Sequence, residues 1–200
     1  MKIILIGASG TIGQAVTQAL IACHQVVPVG HTHGAYQVDL ASPESIQQLF
    51  AAVAPFDAVV SAAGMARFGP LETLTEADFQ LSLANKLMGQ VNLVRLGLRS
   101  MQDGGSFTLT SGVLAQEPMP GSAAISLVNA GLEGFVRAAA LEMPRGIRLN
   151  VVSPPWVRET LLAMGQDSAN GMPAAQVATA YVESVESRRH GEVIDARRFQ

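Results

Sequence analysis

Two hundred residues, 48% of them hydrophobic, suffice for one well-buried domain and are few for two. A formal charge of -3 offers no basic field for nucleic acid or an anionic membrane, and the lone Cys23 excludes an intramolecular disulfide or a cysteine-built metal site. No secretory signal is evident at the start, and the uncharged run from Ile3 to Val38 is broken by Gly7, Gly10, Gly13, Gln14, Gln18, His24 and Pro28, far short of about 18 consecutive apolar residues. A cytoplasmic protein with one domain over residues 1–200, and no membrane or nucleic-acid partner, is expected.

Along the chain, apolar runs alternate with helical patterns. Lys2–Ile6 is a continuous apolar run, as in a strand buried on both faces. Thr11–Ala22 has helical spacing, with Ile12, Val16, Ala19 and Leu20 on one side. Val26–Val29 and Tyr36–Val38 read as short strands, and Ser42-Pro43 opens a helix with an N-cap hydroxyl and a proline at the first helical position. Ala58–Ser61, Ser106–Thr110, Arg148–Val152 and Glu192–Ile194 complete the strands, with helical stretches among them. The alternation predicts an α/β fold: a Rossmann-like, doubly wound parallel sheet of about seven strands with helices on both faces.

At the first strand-to-helix turn, "IGASGTIG" spaces Gly7, Gly10 and Gly13 as G-x-x-G-x-x-G. Glycines there tolerate unusual dihedrals and let a pyrophosphate approach the backbone, while the helix opening at Thr11 and Ile12 presents unpaired N–H groups and a positive dipole end. The preceding strand and following helix supply the context that makes this a nucleotide-binding pattern. Cofactor choice is read at the tip of the second strand, where an NAD site carries Asp or Glu for the ribose hydroxyls. "GHTHG", Gly30 to Gly34, has no acid before Asp39, and His31, Thr32 and Ser9 can donate to a 2′-phosphate. NADP is therefore expected in preference to NAD. His31 and His33 lack an evident third ligand, so no metal is expected.

Four further segments, in order, complete a pattern that resembles the short-chain dehydrogenase/reductase family over nearly the whole chain. "QVDL" is similar to the element around the adenine, which implies roles for the Asp39 carboxylate and the Leu40 backbone. "VVSAAGMARFGPL" resembles the family's Asn-Asn-Ala-Gly segment, with Ser61, Ala62, Ala63 and Gly64 in those places. "FTLTSGV" places Ser111 where the family has its catalytic serine. "LNVVSPPWVRET" resembles the segment that covers the nicotinamide, implying contacts from Pro154 and Val157, with Pro155 replacing a glycine. The glycine spacing departs from the commonest family form, which has three residues between the first two glycines.

"ISLVNAGLEGF", Ile125 to Phe135, resembles the helix that carries the family's catalytic Tyr-x-x-x-Lys pair, but Ile125 and Asn129 stand at those places. That spacing puts both side chains on one helix face, where the lysine lowers the tyrosine pKa and holds the ribose. The chain's two tyrosines, Tyr36 and Tyr181, and two lysines, Lys2 and Lys86, are not spaced to rebuild it. Ser111 can still orient a substrate oxygen or bond its own backbone, and Asn129 can keep the ribose contact. "ANKLMGQVNL" resembles the helix of the family's catalytic Asn, where either Asn85 or Lys86 takes the position according to a one-residue shift. An inward Lys86 returns an ammonium to the site; an outward one is a surface lysine. Arg158 and Glu159 read as lid residues, and Trp156 either covers the nicotinamide or caps the core.

Leu83, Leu87, Val91, Val94, Leu98 and Met101 form a helical stripe, as do Leu132, Phe135, Val136 and Ala139 beside the small Ala130, Gly131 and Gly134. Helices over roughly Asn85–Met101 and Ala123–Met143 are expected to build a homodimer or homotetramer, as in look-alike proteins. Three functions remain: an NADP-dependent oxidoreductase acting on a small carbonyl or alcohol with a non-standard or absent proton donor, a nucleotide-binding sensor or partner subunit without turnover, and a non-redox enzyme reusing the fold. The short Thr160–Gln176 segment implies a small lid over an open, shallow pocket.

Overall fold

In the computed structural model, which describes residues 1–199, the chain opens with β1 (Lys2–Ile6), whose Ile3, Ile4, Leu5 and Ile6 are all sealed from solvent. Side chains alternate across a strand, so Ile4 and Ile6 join the core under one helical layer while Ile3 and Leu5 join the other. β2 (Gln25–Gly30), β3 (Tyr36–Gln37), β4 (Phe56–Ser61), β5 (Met101–Thr110), β6 (Arg148–Ser153) and β7 (Val193–Asp195) complete one parallel sheet in the order β3-β2-β1-β4-β5-β6-β7. The order reverses between β1 and β4, which opens a crevice beyond their carboxyl ends.

α1 (Thr11–Leu20) and α7 (Ala174–Glu186) cover one face; α2 (Pro43–Val53), α4 (Gly89–Gly97) and α5 (Ala123–Ala139) cover the other. Local chemistry sets their starts. The Ser42 hydroxyl accepts from Ser45 N with Pro43 in the first turn of α2, and α3 (Glu76–Ser82) begins on a reciprocal capping box between Thr75 and Asp78. α3 runs through a π-helical turn, Leu83–Met88, into α4, and a short α6 (Arg158–Ala163) follows β6.

Two expectations change. Met101 was placed on a helix but begins β5, paired with Phe56, because the helix ends at Gly97 and Arg145 holds the turn through the Leu98 and Met101 carbonyls. The stripe of Val91, Val94, Leu132 and Val136 faces the sheet, where all four are buried. The outward side of α5 is instead Ala123, Leu127, Ala130, Gly134 and Ala138, all exposed. Residues Ala123–Glu142 are also apolar and long enough to cross a membrane by length and composition. Their Ala124, Val128, Leu132 and Val136 are fully covered by the sheet, as in a core helix.

The β1–α1 turn is packed without slack. A Cβ at Gly13 would lie 1.9 Å from the Gly7 carbonyl oxygen, and Gly7 itself has a φ of +80° with Ala62 O at 2.8 Å from where its Cβ would be. Gly13→Ala is therefore expected to cost at least the 1–3 kcal/mol of an overpacked site, lowering Tm by roughly 5–10 °C. Calorimetry of the two proteins checks this, and an unchanged Tm would contradict the packing.

Candidate active site

The crevice beyond β1 and β4 divides into two joined parts. The first, about 300 Å³, is lined by Gly7, Ser9, Gly10, Gly30, His31, Val38, Leu40, Ala62, Ala63, Gly64 and Asn85. At its floor α1 begins on Gly10 with no side-chain cap and no acidic residue in the first turn, so its N–H groups stay available to an anion. Gly10 has only ordinary contacts where its Cβ would stand, which leaves room for a ligand to approach. The tip of β2 carries no carboxylate: His31 lines the cavity, and the exposed Thr32 hydroxyl lies 2.7 Å from His33 Nδ1. Asp39 is exposed. Its Oδ1 accepts from Ala41 N at 2.9 Å and it does not line the cavity, whereas Leu40 does. Thr11 also lies outside, on the outer groove beside α1 with Ser9 and Gly10.

The second part, about 390 Å³, brings together Ile12, Ala62, Ala63, Gly64, Lys86, Ser111, Ile125, Asn129, Pro154, Trp156 and Val157. Ile125 thus lines the same cavity as Ser111 and Lys86. Asn129 is 1% exposed; its Nδ2 reaches Gly112 O at 3.5 Å and its Oδ1 has no partner. A buried amide oxygen left open in a cavity suits a hydroxyl donor such as a ribose. Across the mouth, Phe68 and Trp156 meet edge to face with centroids 6.4 Å apart.

Lys86 answers the question that its sequence left open. The π-turn closes with Gly89 N donating to Ala84 O, five residues back, and so absorbs one extra residue within an otherwise continuous helix. Asn85 and Lys86 are then both used. Asn85 Oδ1 accepts from Met65 N at 2.7 Å, anchoring the loop after β4 beside the first cavity. Lys86 turns into the second, its stem packed beneath Gly64, whose φ of +132° and missing Cβ permit that approach. Lys86 is 8% exposed, and its ammonium donates to the Thr110 carbonyl at 3.4 Å. No carboxylate pairs with it among the described residues, and burial lowers its pKa from 10.5 to about 8.

Gln90 and Glu133, which sequence reasoning passed over, and Tyr181 and Glu159, which it read otherwise, all hold backbone or hydroxyl groups in or beside this arrangement. Gln90 is wholly buried and grips Thr110 twice, Oε1 accepting from its N–H at 2.8 Å and Nε2 donating to its carbonyl at 2.9 Å. From the other face of the sheet, the buried Tyr181 hydroxyl lies 2.6 Å from Thr110 Oγ1, and burial raises its pKa out of any working range. Glu133 lies behind Ser111, with the Ser111 hydroxyl donating to it at 3.2 Å. Glu159, read as a lid residue, accepts from Ala174 N at 2.9 Å at the start of α7.

Comparison with known proteins places this fold in a family. The profile of the family described as enoyl-(acyl carrier protein) reductase matches residues 10–194. Hydroxynaphthalene reductase arp2 of Aspergillus fumigatus is 29% identical over 186 residues, 87% of this chain and 66% of its own length. The crystal structure of the protein lin1944 from Listeria innocua is 41% identical and covers 98% of both chains with a TM-score of 0.94. A small-chain dehydrogenase solved in complex with NADPH shares the fold at a TM-score of 0.85, with 22% identity over 98% of this chain and 95% of its own. The chain belongs to the short-chain dehydrogenase/reductase family, whose oxidoreductases work with a nicotinamide cofactor.

An uncompensated buried ammonium has a stability cost. The gap between 10.5 and about 8 corresponds to about 3 kcal/mol at 1.36 kcal/mol per pH unit. Below pH 8 the amine is charged in both folded and unfolded chains and the full penalty applies. It lifts between pH 8 and 10.5, where the unfolded chain binds more protons. Lys86→Met should therefore raise Tm by several degrees at pH 7, with the gain shrinking toward pH 10. A melting series across pH checks this; a destabilised variant at pH 7 would contradict it.

Proposed function

We propose that the protein is an NADP-dependent oxidoreductase that exchanges hydride with a small apolar alcohol or carbonyl, and that Lys86 takes the oxygen-facing place of the missing tyrosine. The observation that carries this reading is the buried Lys86 ammonium, directed into the same cavity as Ser111 and Asn129 with one carbonyl as its partner. The NADPH held by a dehydrogenase of the same fold, and the acid-free tip of β2, support the choice of cofactor.

The residues present fit such a group. The open start of α1 and the Gly7–Gly10 turn would hold the pyrophosphate, His31, Thr32 and Ser9 a 2′-phosphate, and Asn129 Oδ1 a ribose hydroxyl. Ala62, Ala63, Pro154 and Val157 would bracket the rest. When bound, the cofactor supplies the hydride. Lys86 donates to the substrate oxygen and stabilises the negative charge that grows there in a dry cavity. Ile12, Ile125, Leu114 and Trp156 exclude water and favour an apolar substrate.

Hydride transfer is expected to be slow, to fall as pH rises through about 8 where Lys86 loses its proton, and to drop a further ~10²-fold or more in Lys86→Met. NADPH oxidation with apolar ketones, followed by nicotinamide fluorescence from pH 6 to 10, measures this, and calorimetric titration should show NADPH tighter than NADH. NADPH binding without turnover on any carbonyl would favour the sensor reading. Equal affinity for NADH would remove the case for NADP.

The assembly expected from the sequence is retained as a proposal with a different face. The outward stripe of α5, with Leu127 half exposed among small residues, suits a second copy of the same helix packed closely against it. Leu127→Asp should halve the mass seen by light scattering at micromolar concentration without lowering secondary structure. A wild-type monomer would remove this proposal.

A further inference from the structure

Glu133 is a buried carboxylate that the reaction above leaves unused. It stands one helical turn beyond Asn129 and two beyond Ile125, on the same side of α5, and is 3% exposed. Its Oε2 accepts from Gln116 Nε2 at 3.0 Å and Arg137 at 3.2 Å, and its Oε1 accepts from the Ser111 hydroxyl at 3.2 Å. The hydroxyl's other neighbour, the Val152 carbonyl at 3.5 Å, is an acceptor too. A serine has one O–H to give and two lone pairs to offer. With its proton drawn inward to Glu133, the nearer of the two acceptors, Ser111 presents lone pairs alone to the cavity that it lines.

We propose that Glu133 fixes Ser111 as a hydrogen-bond acceptor toward the substrate, so that the site binds the alcohol member of an alcohol/carbonyl pair in preference to the carbonyl. The inference rests on the hydride-transfer reading above and specifies which side of that reaction the pocket is built for. A substrate hydroxyl can donate to Ser111 and accept from Lys86 together. A carbonyl oxygen only accepts; it is served by Lys86 and meets Ser111 lone pair against lone pair. In oxidation the alcohol O–H proton passes to Ser111 Oγ as Ser111 passes its own proton to Glu133. The C–H bond breaks with its electron pair going to the oxidised nicotinamide, and the C=O bond forms. Glu133 never touches the substrate; it is a positioning residue that acts through Ser111.

Trp156, the sole tryptophan, lines the cavity and reports its occupancy. The test titrates 1-tetralol and 1-tetralone into protein saturated with redox-inert tetrahydro-NADP, so that neither probe turns over, and reads Trp156 fluorescence. The wild type should bind the alcohol roughly tenfold tighter than the ketone, the worth of one well-placed hydrogen bond. Glu133→Gln keeps the shape but can donate to Ser111 Oγ, which frees the serine proton for the cavity; it should erase or reverse the preference. In a Ser111→Ala background the same replacement should leave the ratio unmoved, which a general structural effect of Glu133 would not do. Should Glu133→Gln fail to fold, Ser111→Ala alone must lose the preference. Two bound probes with the same ratio in wild type and Glu133→Gln would overturn this inference and leave the hydride-transfer reading standing. Failure of both probes to bind the wild type would overturn the apolar-substrate reading, and this inference with it.

Discussion

The end of β5 is the point on which the rest of the site depends. Thr110 is gripped through both backbone groups by Gln90 from one helical layer, and through its hydroxyl by Tyr181 from the other and by the Ser61 carbonyl of neighbouring β4. Buried polar groups of this kind are costly when unpaired, so each partner enforces the next. The strand end is therefore immobile from both faces. Ser111 and Gly112 leave it at a defined angle, and the Thr110 carbonyl is aimed where Lys86 needs an acceptor. A Gly112 with a Cβ would meet Asn129 Nδ2 at 3.0 Å, so the same turn also fixes the amide that faces the ribose position.

Lys86 shows why such rigidity is needed. A buried ammonium with one carbonyl partner is unfavourable by itself, and in a pliable site it would find water instead. Gly64 above its stem, the π-turn beneath it and the anchored Thr110 leave it no route out. Stability is given up where a charged donor is wanted, a trade typical of reaction sites. The apolar lining makes the interaction of that charge with a developing oxyanion stronger than it would be in water.

What could be read beforehand follows from the period of the signal. Lys2–Ile6, with no polar residue after Lys2, can only be a strand covered on both faces, and glycines at the following turn carry their own steric reason. Seven strands and both helical layers were legible in this way. The direction of Lys86 was not, because a π-turn has no period to detect: one inserted residue leaves the apolar spacing intact on both sides while rotating what lies between. Met101 misled for a related reason, since an apolar residue three after Leu98 continues a helical stripe although the helix has ended. Asp39 engages one carboxylate oxygen in the turn at Ala41, a local bond that the motif does not announce. Glu133 looked like any helix glutamate, and its role needs the approach of β5, which no local spacing reveals.

Ile125 and Asn129 on α5 and Lys86 on the π-turn before α4 line one cavity. At the places that the resemblance gives to a tyrosine and a lysine stand Ile125 and an uncharged Asn129, so the α5 wall of the cavity carries neither a phenol nor a positive charge. The π-turn returns a positive charge from the opposite wall. Glu133, on the same helix face as the lost pair, meanwhile holds Ser111 from behind. In the proposed reaction the electrostatics are thus redistributed: the cation would face the substrate oxygen directly, and the hydroxyl that remains would be oriented by a carboxylate. A cavity arranged in this way keeps the two features that polarise a carbon–oxygen bond, a donor and an oriented acceptor, while drawing them from different elements of the fold.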